Sequence, residues 1–302
     1  MLNTTQLKVR ALSGASIVAL ILGGAVAGVA SAAVAAPHSG VSATSLAQPG
    51  SSVGAGSGLD RWSPRTPQAY LAIGDSFTAG QGAPPYSSET CKQSKWAGYP
   101  RIAAAASLGA YKLTANNACS GARIADVPAQ LAGADPATAL VTLTVGGIDA
   151  GSNGVLAACA AGPDTDQCRA AIAASTAAIA ALGPQLVGLY NQLAATLPDA
   201  RIVVLNYPRL FKPGAAPLGE LVNAGTDALN AVIAGAVAAT GNPKVTLVNV
   251  TDEFAGHAIG DKLPYIGFNP ADVTAAANFH PNALGNLLGY TRALVSDGVL
   301  RR

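Results

Sequence analysis

Charged and aromatic residues are scarce in this chain. Only 11% of its 302 residues are charged and 5% are aromatic, and the formal net charge is +2. No run of Lys or Arg occurs, so the sequence lacks the basic patch that nucleic acids require and the long charged tail that favours disorder. The composition argues against nucleic acid or another polyanion as the partner.

Long apolar runs are not expected after the N-terminus. The one strong apolar stretch follows Lys8 and Arg10, extends from Ala11 to about Ala36 and ends in small residues. This pattern predicts a secretory signal peptide over residues 1–36, with an uncleaved signal anchor as the alternative. We expect the rest of the chain to be secreted, and no later segment to be long and uncharged enough to cross a bilayer.

Histidine and cysteine are also few, with three and four residues. No Cys-x-x-Cys pair is present, so a zinc site is not expected. In an exported chain, four cysteines favour two disulfides, for which three pairings are possible. The short separation of Cys159 and Cys168 favours a bridge between them, which leaves Cys91 and Cys119 as the second pair.

Residues 37–66 are rich in Ser, Gly, Pro and Ala and have no periodicity. Such a composition predicts a linker, because it buries too little apolar surface to become ordered. The GAGSG sequence within it resembles a phosphate-binding loop, but no strand precedes it and no Lys follows, so we interpret it as a spacer. The folded domain is expected over residues 67–302.

Short apolar runs alternate with longer Ala-rich segments beyond the linker. This alternation predicts an α/β fold with a parallel sheet and helices on both faces, in which ligands bind at the carboxyl ends of the strands. The helix over residues 167–197 is expected to bend at Gly183 and Pro184. The predicted strands are 70–73, 111–115, 140–145, 201–205 and 245–248, and the predicted helices are 96–108, 167–197, 221–240 and 282–300.

Ser76 follows the first predicted strand in the sequence LAIGDSFTAGQG. A turn from a buried strand into a helix presents a hydroxyl together with free backbone N–H groups, which suits a nucleophile, although a serine in this place can also be only a helix N-cap. Position 78 is Thr, so the G-x-S-x-G elbow of the α/β-hydrolases is absent. The pattern indicates a serine hydrolase of a different kind.

A serine nucleophile requires a base, and the chain offers His38, His257 and His280. His38 lies in the predicted linker. His257 follows the fifth predicted strand and can lie near the same face of the sheet as Ser76. His280 stands in NFHPNALG, immediately before the last predicted helix, and this position favours it as the base.

Four motifs occur in order along the domain: GDSFTAG, ACSGA, VTLTVGGID and FHPN. Their order and spacing resemble those of the GDSL or SGNH hydrolase family, in particular its secreted actinobacterial lipase and esterase branch. The resemblance extends from about Gln68 to the C-terminus. It implies a flavodoxin-like three-layer sandwich with a five-stranded parallel sheet, and a carboxylic ester hydrolase that needs no metal or cofactor.

The same resemblance assigns roles to individual residues. Ser76 is the implied nucleophile, and His280 is the implied base and acid of an acyl-enzyme mechanism. The implied oxyanion hole consists of the backbone N–H groups of Ser76 and Gly121 and, in the family, an Asn side chain. The pairing of Cys91 with Cys119 also matches this branch.

The third motif departs from the family pattern. It reads Gly-Gly-Ile-Asp where the family has Gly-Gly-Asn-Asp, so Ile148 occupies the position of the oxyanion amide. Loss of one such donor typically lowers kcat by about 100- to 1000-fold. Asn153 and Asn117 are the candidates for a substitute donor.

The motif around the histidine departs as well. Ala277 stands three residues before His280, where the family has an Asp, so the sequence predicts a Ser-His dyad. A main-chain acceptor preceding Asn278 can orient the imidazole, and Asp272 is a candidate carboxylate from the same loop. Two further acids, Asp75 and Asp149, are expected to cap or brace the turns beside the site.

The segment from Gly256 to Phe268 has Ile259 where the family branch has a disulfide cysteine. We expect this segment to form one wall of the substrate cleft, with Tyr265, Ile266 and Phe268 as its apolar surface, although such side chains are often simply packed in a core.

Two alternatives to a secreted lipase or esterase follow from these departures. One is a weakly active or inactive relative that binds a lipid or glycan, which the replacements at Ile148 and Ala277 would explain. The other keeps the chemistry but acts on cell-envelope polysaccharide, as a deacetylase or acyltransferase. The expected partner is a small-molecule or lipid ester, with peripheral contact to lipid surfaces and a monomeric chain.

Overall fold

The computed structural model describes residues 66–301 of the chain. The predicted signal peptide, residues 1–36, lies outside the described residues. The predicted linker, residues 37–66, also lies outside them except for Thr66.

A five-stranded parallel sheet forms the centre of the described domain, with the strand order β4-β1-β5-β6-β7. When only these five strands are numbered, from 1 to 5 in chain order, their order in the sheet is 2-1-3-4-5, as in flavodoxin-like sheets. Each predicted strand is confirmed to within two residues. The strands are β1 (Gln68–Gly74), β4 (Tyr111–Asn116), β5 (Thr138–Thr144), β6 (Arg201–Leu205) and β7 (Val245–Val248).

Successive residues of each strand point to opposite sides of the sheet. Helices cover both sides, so that each side holds its own apolar cluster. In β1, Leu71 and Ile73 pack against α4 (Asp166–Thr196), α5 (Pro217–Ala239) and a 3₁₀ helix (Ile124–Leu131). Tyr70 and Ala72 pack on the other side, against α2 (Tyr99–Ala106) and the C-terminal helices. The expected three-layer sandwich is therefore confirmed.

The helices differ from the predicted ones at their ends. The α4 helix runs continuously through Pro184. The last predicted helix is a π-helical segment (Gly285–Thr291) that leads into α6 (Arg292–Ser296). Five elements were not predicted: α1 (Ser76–Ala79), the antiparallel strands β2 (Tyr86–Ser88) and β3 (Gln93–Ser94), the 3₁₀ helix (Ile124–Leu131) and α3 (Ser152–Ala158).

Two disulfides tie loops at the carboxyl edge of the sheet. Cys91, between β2 and β3, is bonded to Cys119, which follows β4. Cys159 at the end of α3 is bonded to Cys168 in the first turn of α4. Both predicted pairs are confirmed.

By length and composition alone, α4 and α5 are apolar enough to cross a membrane. This corrects the expectation that no segment after the N-terminus has such a length. Both helices lie against the sheet, where α4 buries Leu186 and Leu193 and α5 buries Ile233. Their high hydropathy comes largely from alanine, so it is weak evidence of a membrane span.

Candidate active site

Ser76 lies at the point where β1 ends and α1 begins. Asp75 is the N-cap of α1, and its carboxylate accepts a hydrogen bond of 3.0 Å from the Phe77 N–H. Gly74 has φ +114°, and a Cβ there would lie 2.1 Å from the Thr144 carbonyl oxygen, so only glycine allows this turn. The turn presents the Ser76 side chain at the carboxyl edge of the sheet, beside the switch in strand order between β1 and β5.

The predicted base reaches the predicted nucleophile. Nε2 of His280 lies 2.8 Å from Oγ of Ser76, and Nδ1 lies 2.7 Å from the carbonyl oxygen of Asn278. Because a carbonyl can only accept, Nδ1 carries the proton and Nε2 accepts from the Ser76 hydroxyl. The acceptor is the carbonyl of Asn278 itself, rather than one preceding it.

The loop that carries His280 is held by its own backbone. Phe279 has φ +61°, a left-handed conformation that is uncommon for a side chain of this size. Gly267 exchanges two main-chain hydrogen bonds of 2.8 Å with this loop, one with Phe279 and one with His280. The Asn278 side chain donates to the Asp272 carbonyl at 2.8 Å. These contacts hold the Asn278 carbonyl in front of the imidazole.

The nucleophile loop and the histidine loop touch at Gly82. A Cβ on Gly82 would lie 2.3 Å from the Pro281 carbonyl oxygen and 2.8 Å from that of His280. Gln81 adds a hydrogen bond of 2.7 Å from its side-chain amide to the Ala276 carbonyl. Since only glycine permits this approach, Gly82 sets the separation between the two loops.

Burial of His280 determines its protonation state. Desolvation lowers the pKa of His280 from 6.5 to about 4, although the hydrogen bond to the Asn278 carbonyl raises it. The Phe77 ring, with its centroid 5.1 Å from that of the imidazole, forms part of the surroundings. At neutral pH the imidazole is uncharged and can accept a proton.

Asp75 braces the nucleophile turn, as expected, and does not contact His280. Its carboxylate accepts from the Phe77 N–H, from the Thr144 hydroxyl at 2.6 Å and from the Tyr207 hydroxyl. Burial raises the pKa of Asp75 to about 6, against the lowering effect of these three hydrogen bonds. Asp149 braces the neighbouring loop by accepting from the Ile124 N–H at 3.1 Å.

Tyr207 was not among the site residues predicted from the sequence. Its hydroxyl donates to Asp75 and accepts from the Gly147 N–H at 3.1 Å, so it joins the nucleophile turn to the loop after β5. No motif identifies it, but it follows the end of β6, and the carboxyl ends of strands are where site residues collect.

A buried chain of hydroxyl groups beneath the nucleophile turn was also missed. Thr144 Oγ1 lies 2.8 Å from Thr78 Oγ1, which lies 3.0 Å from the Tyr99 hydroxyl, and Tyr99 donates to Thr142 at 3.1 Å. A connected network of this kind is rigid because each group is paired in a low-dielectric interior. Two threonines on one face of β5, in the sequence VTLT, were the signal in the sequence.

Two backbone donors of the implied oxyanion hole are open. Among residues 66–301, neither the Ser76 N–H nor the Gly121 N–H donates a hydrogen bond to a protein acceptor. The Gly121 loop is anchored on one side by Cys119, whose N–H donates to the Gly74 carbonyl at 3.0 Å. The Asp149 contact to Ile124 anchors it on the other side.

Ile148 lines the pocket at the motif position where the family has an Asn, so no side-chain amide stands at that position of the oxyanion hole. The Asn117 amide donates to the Gln130 carbonyl at 2.8 Å, so it is already engaged. Asn153 lines the same pocket as Ser76 and His280, and its side chain has no hydrogen-bond partner within the described part of the chain. Of the two candidates, Asn153 therefore has an amide that is still available, and Asn117 does not.

The Asp272 carboxylate is not a stand-in for the missing family Asp. Its Oδ1 accepts from the hydroxyl of Thr274 at 2.7 Å and from the Thr274 N–H at 3.1 Å, and the residue is exposed. The imidazole nitrogen that it would orient is already bonded to the Asn278 carbonyl.

The pocket that contains Ser76, Ile148 and His280, here called the catalytic pocket, has no residue of the segment 256–268 in its walls, so that prediction is wrong. Tyr265 and Ile266 are buried in the core on the α2 side of the sheet, and Phe268 packs on Phe279 at a centroid distance of 5.4 Å. His257 stacks on Tyr265 and its Nδ1 lies 2.9 Å from the Leu263 carbonyl oxygen, away from Ser76. Apolar side chains suit a core as well as a cleft wall, and tertiary packing decided between them.

The catalytic pocket is small, with a volume of about 100 Å³. Its walls come from α3, α5 and the loops after β5 and β6, with Phe279 on the histidine side. Within residues 66–301, no group of three or more His, Cys, Asp or Glu side chains is arranged to hold a metal ion.

Comparison with known proteins agrees with the motifs. A model of the GDSL-like lipase/acylhydrolase family matches residues 72–288. Lipase 1 of Streptomyces coelicolor is 33% identical over 241 residues, which cover 76% of this chain and 87% of that lipase.

Two crystal structures resemble the chain over most of their length. The extracellular lipase from Streptomyces rimosus has 36% sequence identity and the phospholipase A1 from Streptomyces albidoflavus NA297 has 31%, each with a TM-score of 0.67. Each comparison covers 76% of this chain and 99% of the other chain. The fold predicted from the motifs is confirmed.

Proposed function

Because the chain belongs to the GDSL-like lipase/acylhydrolase family and is an ester hydrolase, we propose that Ser76 and His280 perform its reaction as a dyad. The observation that carries this proposal is the contact of 2.8 Å between Nε2 of His280 and Oγ of Ser76. The Asn278 carbonyl, 2.7 Å from Nδ1, supports it by selecting the tautomer in which Nε2 is the base.

In the first step, Oγ of Ser76 attacks the ester carbonyl carbon while Nε2 of His280 takes the hydroxyl proton. The resulting imidazolium then gives this proton to the leaving alcohol, and an acyl-enzyme on Ser76 remains. In the second step, water attacks the acyl carbon while Nε2 of His280 takes a proton from the water. The bond between Oγ of Ser76 and the acyl carbon then breaks, the imidazolium returns the proton to Oγ, and the carboxylic acid leaves. The Asn278 carbonyl accepts from Nδ1 and so orients the imidazole, but it lacks the negative charge with which a carboxylate would stabilise the imidazolium.

The negative charge that develops on the ester carbonyl oxygen requires donors. We place it between the N–H groups of Ser76 and Gly121, both of which lack another acceptor among residues 66–301. Two backbone donors support turnover, and the absence of an amide at Ile148 lowers kcat relative to a site with three.

We infer that the chain acts outside the cell. Residues 1–36 are the proposed signal peptide, 37–66 a linker and 67–302 the catalytic domain, which acts as a monomer. Two disulfides support an oxidising compartment, and one structural relative is described as extracellular. N-terminal sequencing of the exported protein tests the cleavage, because a start near residue 37 is expected.

The proposed substrate is a lipid ester, reached by peripheral contact with a lipid surface. The names of the relatives, lipase and phospholipase A1, support this class. The catalytic pocket is lined by apolar residues such as Phe77, Ile148 and Leu210, which suit an acyl group better than a sugar.

The test is hydrolysis of p-nitrophenyl esters by the oxidised protein beside three variants. Ser76→Ala and His280→Ala should each remove activity to near background, whereas His257→Ala, a matched histidine without contact to Ser76, should keep it. Activity that survives Ser76→Ala would exclude the serine mechanism. Release of acetate from polysaccharide without any activity on lipid esters would favour the deacetylase alternative.

A further inference from the structure

Asp75 is a buried acid beside the nucleophile that the two reaction steps do not use. It is 2% exposed and directly precedes Ser76, whose N–H is one of the two proposed oxyanion donors. Its carboxylate accepts from the Phe77 N–H at 3.0 Å, from the Thr144 hydroxyl at 2.6 Å and from the Tyr207 hydroxyl. All three partners donate, which fits the ionised carboxylate, because that form can only accept.

Tyr207 is the partner that comes from a separate loop. The Phe77 N–H and the Thr144 hydroxyl lie in the nucleophile turn itself and in the adjacent strand β5. Tyr207 follows β6, and its hydroxyl also accepts from the Gly147 N–H at 3.1 Å. Gly147 belongs to the motif in which Ile148 replaces the family Asn. One phenol therefore joins the nucleophile turn to the loop of the oxyanion motif.

The ring of Tyr207 is held independently of its hydroxyl. The Tyr207 N–H donates to Oδ1 of Asn230 in α5 at 3.0 Å, and Nδ2 of Asn230 donates to the Tyr207 carbonyl at 2.8 Å. The ring also packs edge-on against Phe77, with a centroid distance of 5.0 Å. Removal of the hydroxyl alone should therefore leave the ring in place and affect only the contacts with Asp75 and Gly147.

Asp75 has no ion-pair partner among residues 66–301. Its titratable neighbours come from four elements and are Tyr207, Tyr99, Tyr290 and Asp149. His280 lines the same pocket, whereas no Lys or Arg of the described part of the chain does. Burial raises the pKa of Asp75 to about 6, while the three hydrogen bonds that it accepts lower the pKa. Hydrogen bonds, rather than a cation, thus stabilise its negative charge.

Protonation of Asp75 would disrupt these contacts. A carboxylic acid has to donate its O–H, and the Phe77 N–H cannot accept it. Either Thr144 or Tyr207 would then accept, and its own hydroxyl proton would turn away from Asp75. Each change removes a contact that fixes the nucleophile turn, and the Ser76 N–H is part of that turn.

We propose that Tyr207 is a positioning residue for ester hydrolysis: its hydroxyl keeps Asp75 ionised and ties it to Gly147, and the ionised Asp75 holds the Ser76 N–H towards the oxyanion. This inference rests on the proposed function and adds a condition to it, because the reaction then requires the Asp75 anion. Neither Asp75 nor Tyr207 exchanges a proton with the substrate. Activity should fall on acidification when Asp75 takes up a proton, at a higher pH than His280 does.

The first measurement is the pH dependence of kcat on a short-chain p-nitrophenyl ester. In the unchanged protein kcat should fall below a midpoint near pH 6, the pKa of Asp75, although the imidazole loses its base form only near pH 4. Tyr207→Phe removes one donor from the carboxylate, so this midpoint should rise by about one to two pH units. KM should change by less than about twofold, because the substrate contacts remain.

Tyr290→Phe is the matched control. Tyr290 is also a buried tyrosine near Asp75, but its hydroxyl donates to the Asn206 carbonyl at 3.0 Å. Its loss should lower the free energy of unfolding without moving the midpoint of kcat. If Tyr207 had only a structural role, Tyr207→Phe would lower kcat equally at every pH. An unmoved midpoint, with Ser76-dependent activity, would overturn the positioning proposal and leave the proposed function intact.

Asp75→Asn makes the side chain neutral at every pH. Near pH 8 its kcat should be lower by about tenfold or more than that of the unchanged protein, since the nucleophile turn is displaced. Its kcat should also lack the fall below a midpoint near pH 6, the pKa of the replaced carboxyl. A folded Asp75→Asn variant that keeps this midpoint would assign it to another group and contradict the proposal.

NMR of the protein without substrate separates the two proposals when no ester is hydrolysed. The carboxyl carbon of Asp75, identified by Asp75→Asn, and the amide of Ser76 should titrate with one midpoint, and Tyr207→Phe should raise both. If they do so in a protein without any esterase activity, Tyr207 positions the turn and the proposed function falls. If the Ser76 amide does not follow Asp75, or if Tyr207→Phe leaves both midpoints unmoved, the positioning proposal is overturned.

Discussion

The carbonyl oxygen of Asn278 lies 2.7 Å from Nδ1 of His280, two residues further along the chain. A main-chain group thus performs the orienting role that a carboxylate has in a triad. A carbonyl carries no net charge, so it holds the ring without strongly favouring the imidazolium. Burial keeps His280 neutral at neutral pH, although the hydrogen bond to the Asn278 carbonyl by itself raises the pKa of the imidazole.

Asp272→Asn should leave kcat/KM within about twofold of the unchanged protein, because its carboxylate bonds to Thr274 rather than to the imidazole. Steady-state kinetics on a short-chain ester measure this. Asn278→Ala is the contrasting change: it keeps the carbonyl but removes the side-chain contact to Asp272, so we expect kcat to fall. A tenfold loss with Asp272→Asn would show that the carboxylate does orient the base.

The His280 imidazole should titrate with a midpoint near pH 4 rather than 6.5. Histidine NMR measures this directly, because the chain has only three histidines and His280→Ala identifies the signal. The base form should therefore persist well below neutral pH. A midpoint above about 6 would mean that the ring is solvated and that burial does not control it.

The free energy of unfolding should depend on pH because of the same lowered pKa of His280. The folded pKa is depressed, so between pH 6.5 and about 4 the unfolded chain binds a proton at His280 that the folded chain excludes. Through His280, the free energy of unfolding therefore falls as pH falls through this window. Asp75, with its pKa raised to about 6, acts with the opposite sign. Denaturant unfolding of His280→Ala should show a smaller loss of stability on acidification than the unchanged protein.

Ile148→Asn should raise kcat by about tenfold or more, because it restores a side-chain donor to an oxyanion hole with two backbone donors. Ile148→Leu is the control for a change of shape alone and should give no gain. No increase in a folded Ile148→Asn variant would refute this account of the hole.

Ile148→Asn combined with Asn153→Ala shows whether the Asn153 amide already donates to the oxyanion. If it does, Asn153→Ala alone lowers kcat, and Ile148→Asn gives a larger gain there than in the unchanged protein. Equal gains in the two backgrounds would assign Asn153 no part in the hole.

Gly82→Ala should disrupt the dyad, because its Cβ would lie 2.3 Å from the Pro281 carbonyl oxygen and force the two catalytic loops apart. We expect kcat to fall by about 100-fold, since a displacement of roughly 1 Å has such an effect. Gly235→Ala on the surface of α5 is the control and should be neutral or stabilising. Unchanged kcat in Gly82→Ala would show that the loops can move apart without loss.

Local sequence patterns predicted most of the scaffold. Strands such as β6 and β7 were predicted to the residue, because short apolar runs between turn residues have few alternatives. The C-terminal helix was predicted four residues too long at its end, because α6 stops at Ser296 before Gly298, which has φ +68°. The period of 3.6 residues also did not distinguish its π-helical segment from an α-helix. The short α1 and α3 helices have too few residues to show a period.

Motifs predicted Ser76 and His280 although they are 204 residues apart, because each stands in a short sequence with its own pattern. They did not predict Tyr207, which reaches Asp75 across 132 residues without a surrounding motif. The Asn278 carbonyl could not be predicted either, since every residue carries a carbonyl and only the backbone conformation at Phe279 selects this one.

The sequence by itself determined the family, the fold, the two disulfides and the proposed pair of Ser76 and His280, because these depend on residue type, order and local periodicity. Tertiary structure decided which apolar residues became core and which became cavity. Tyr265 and Ile266 are buried in the core. Leu156 and Leu210, which are also apolar, line the catalytic pocket instead. The physical reason is that burial depends on the packing of distant elements, which no local pattern records.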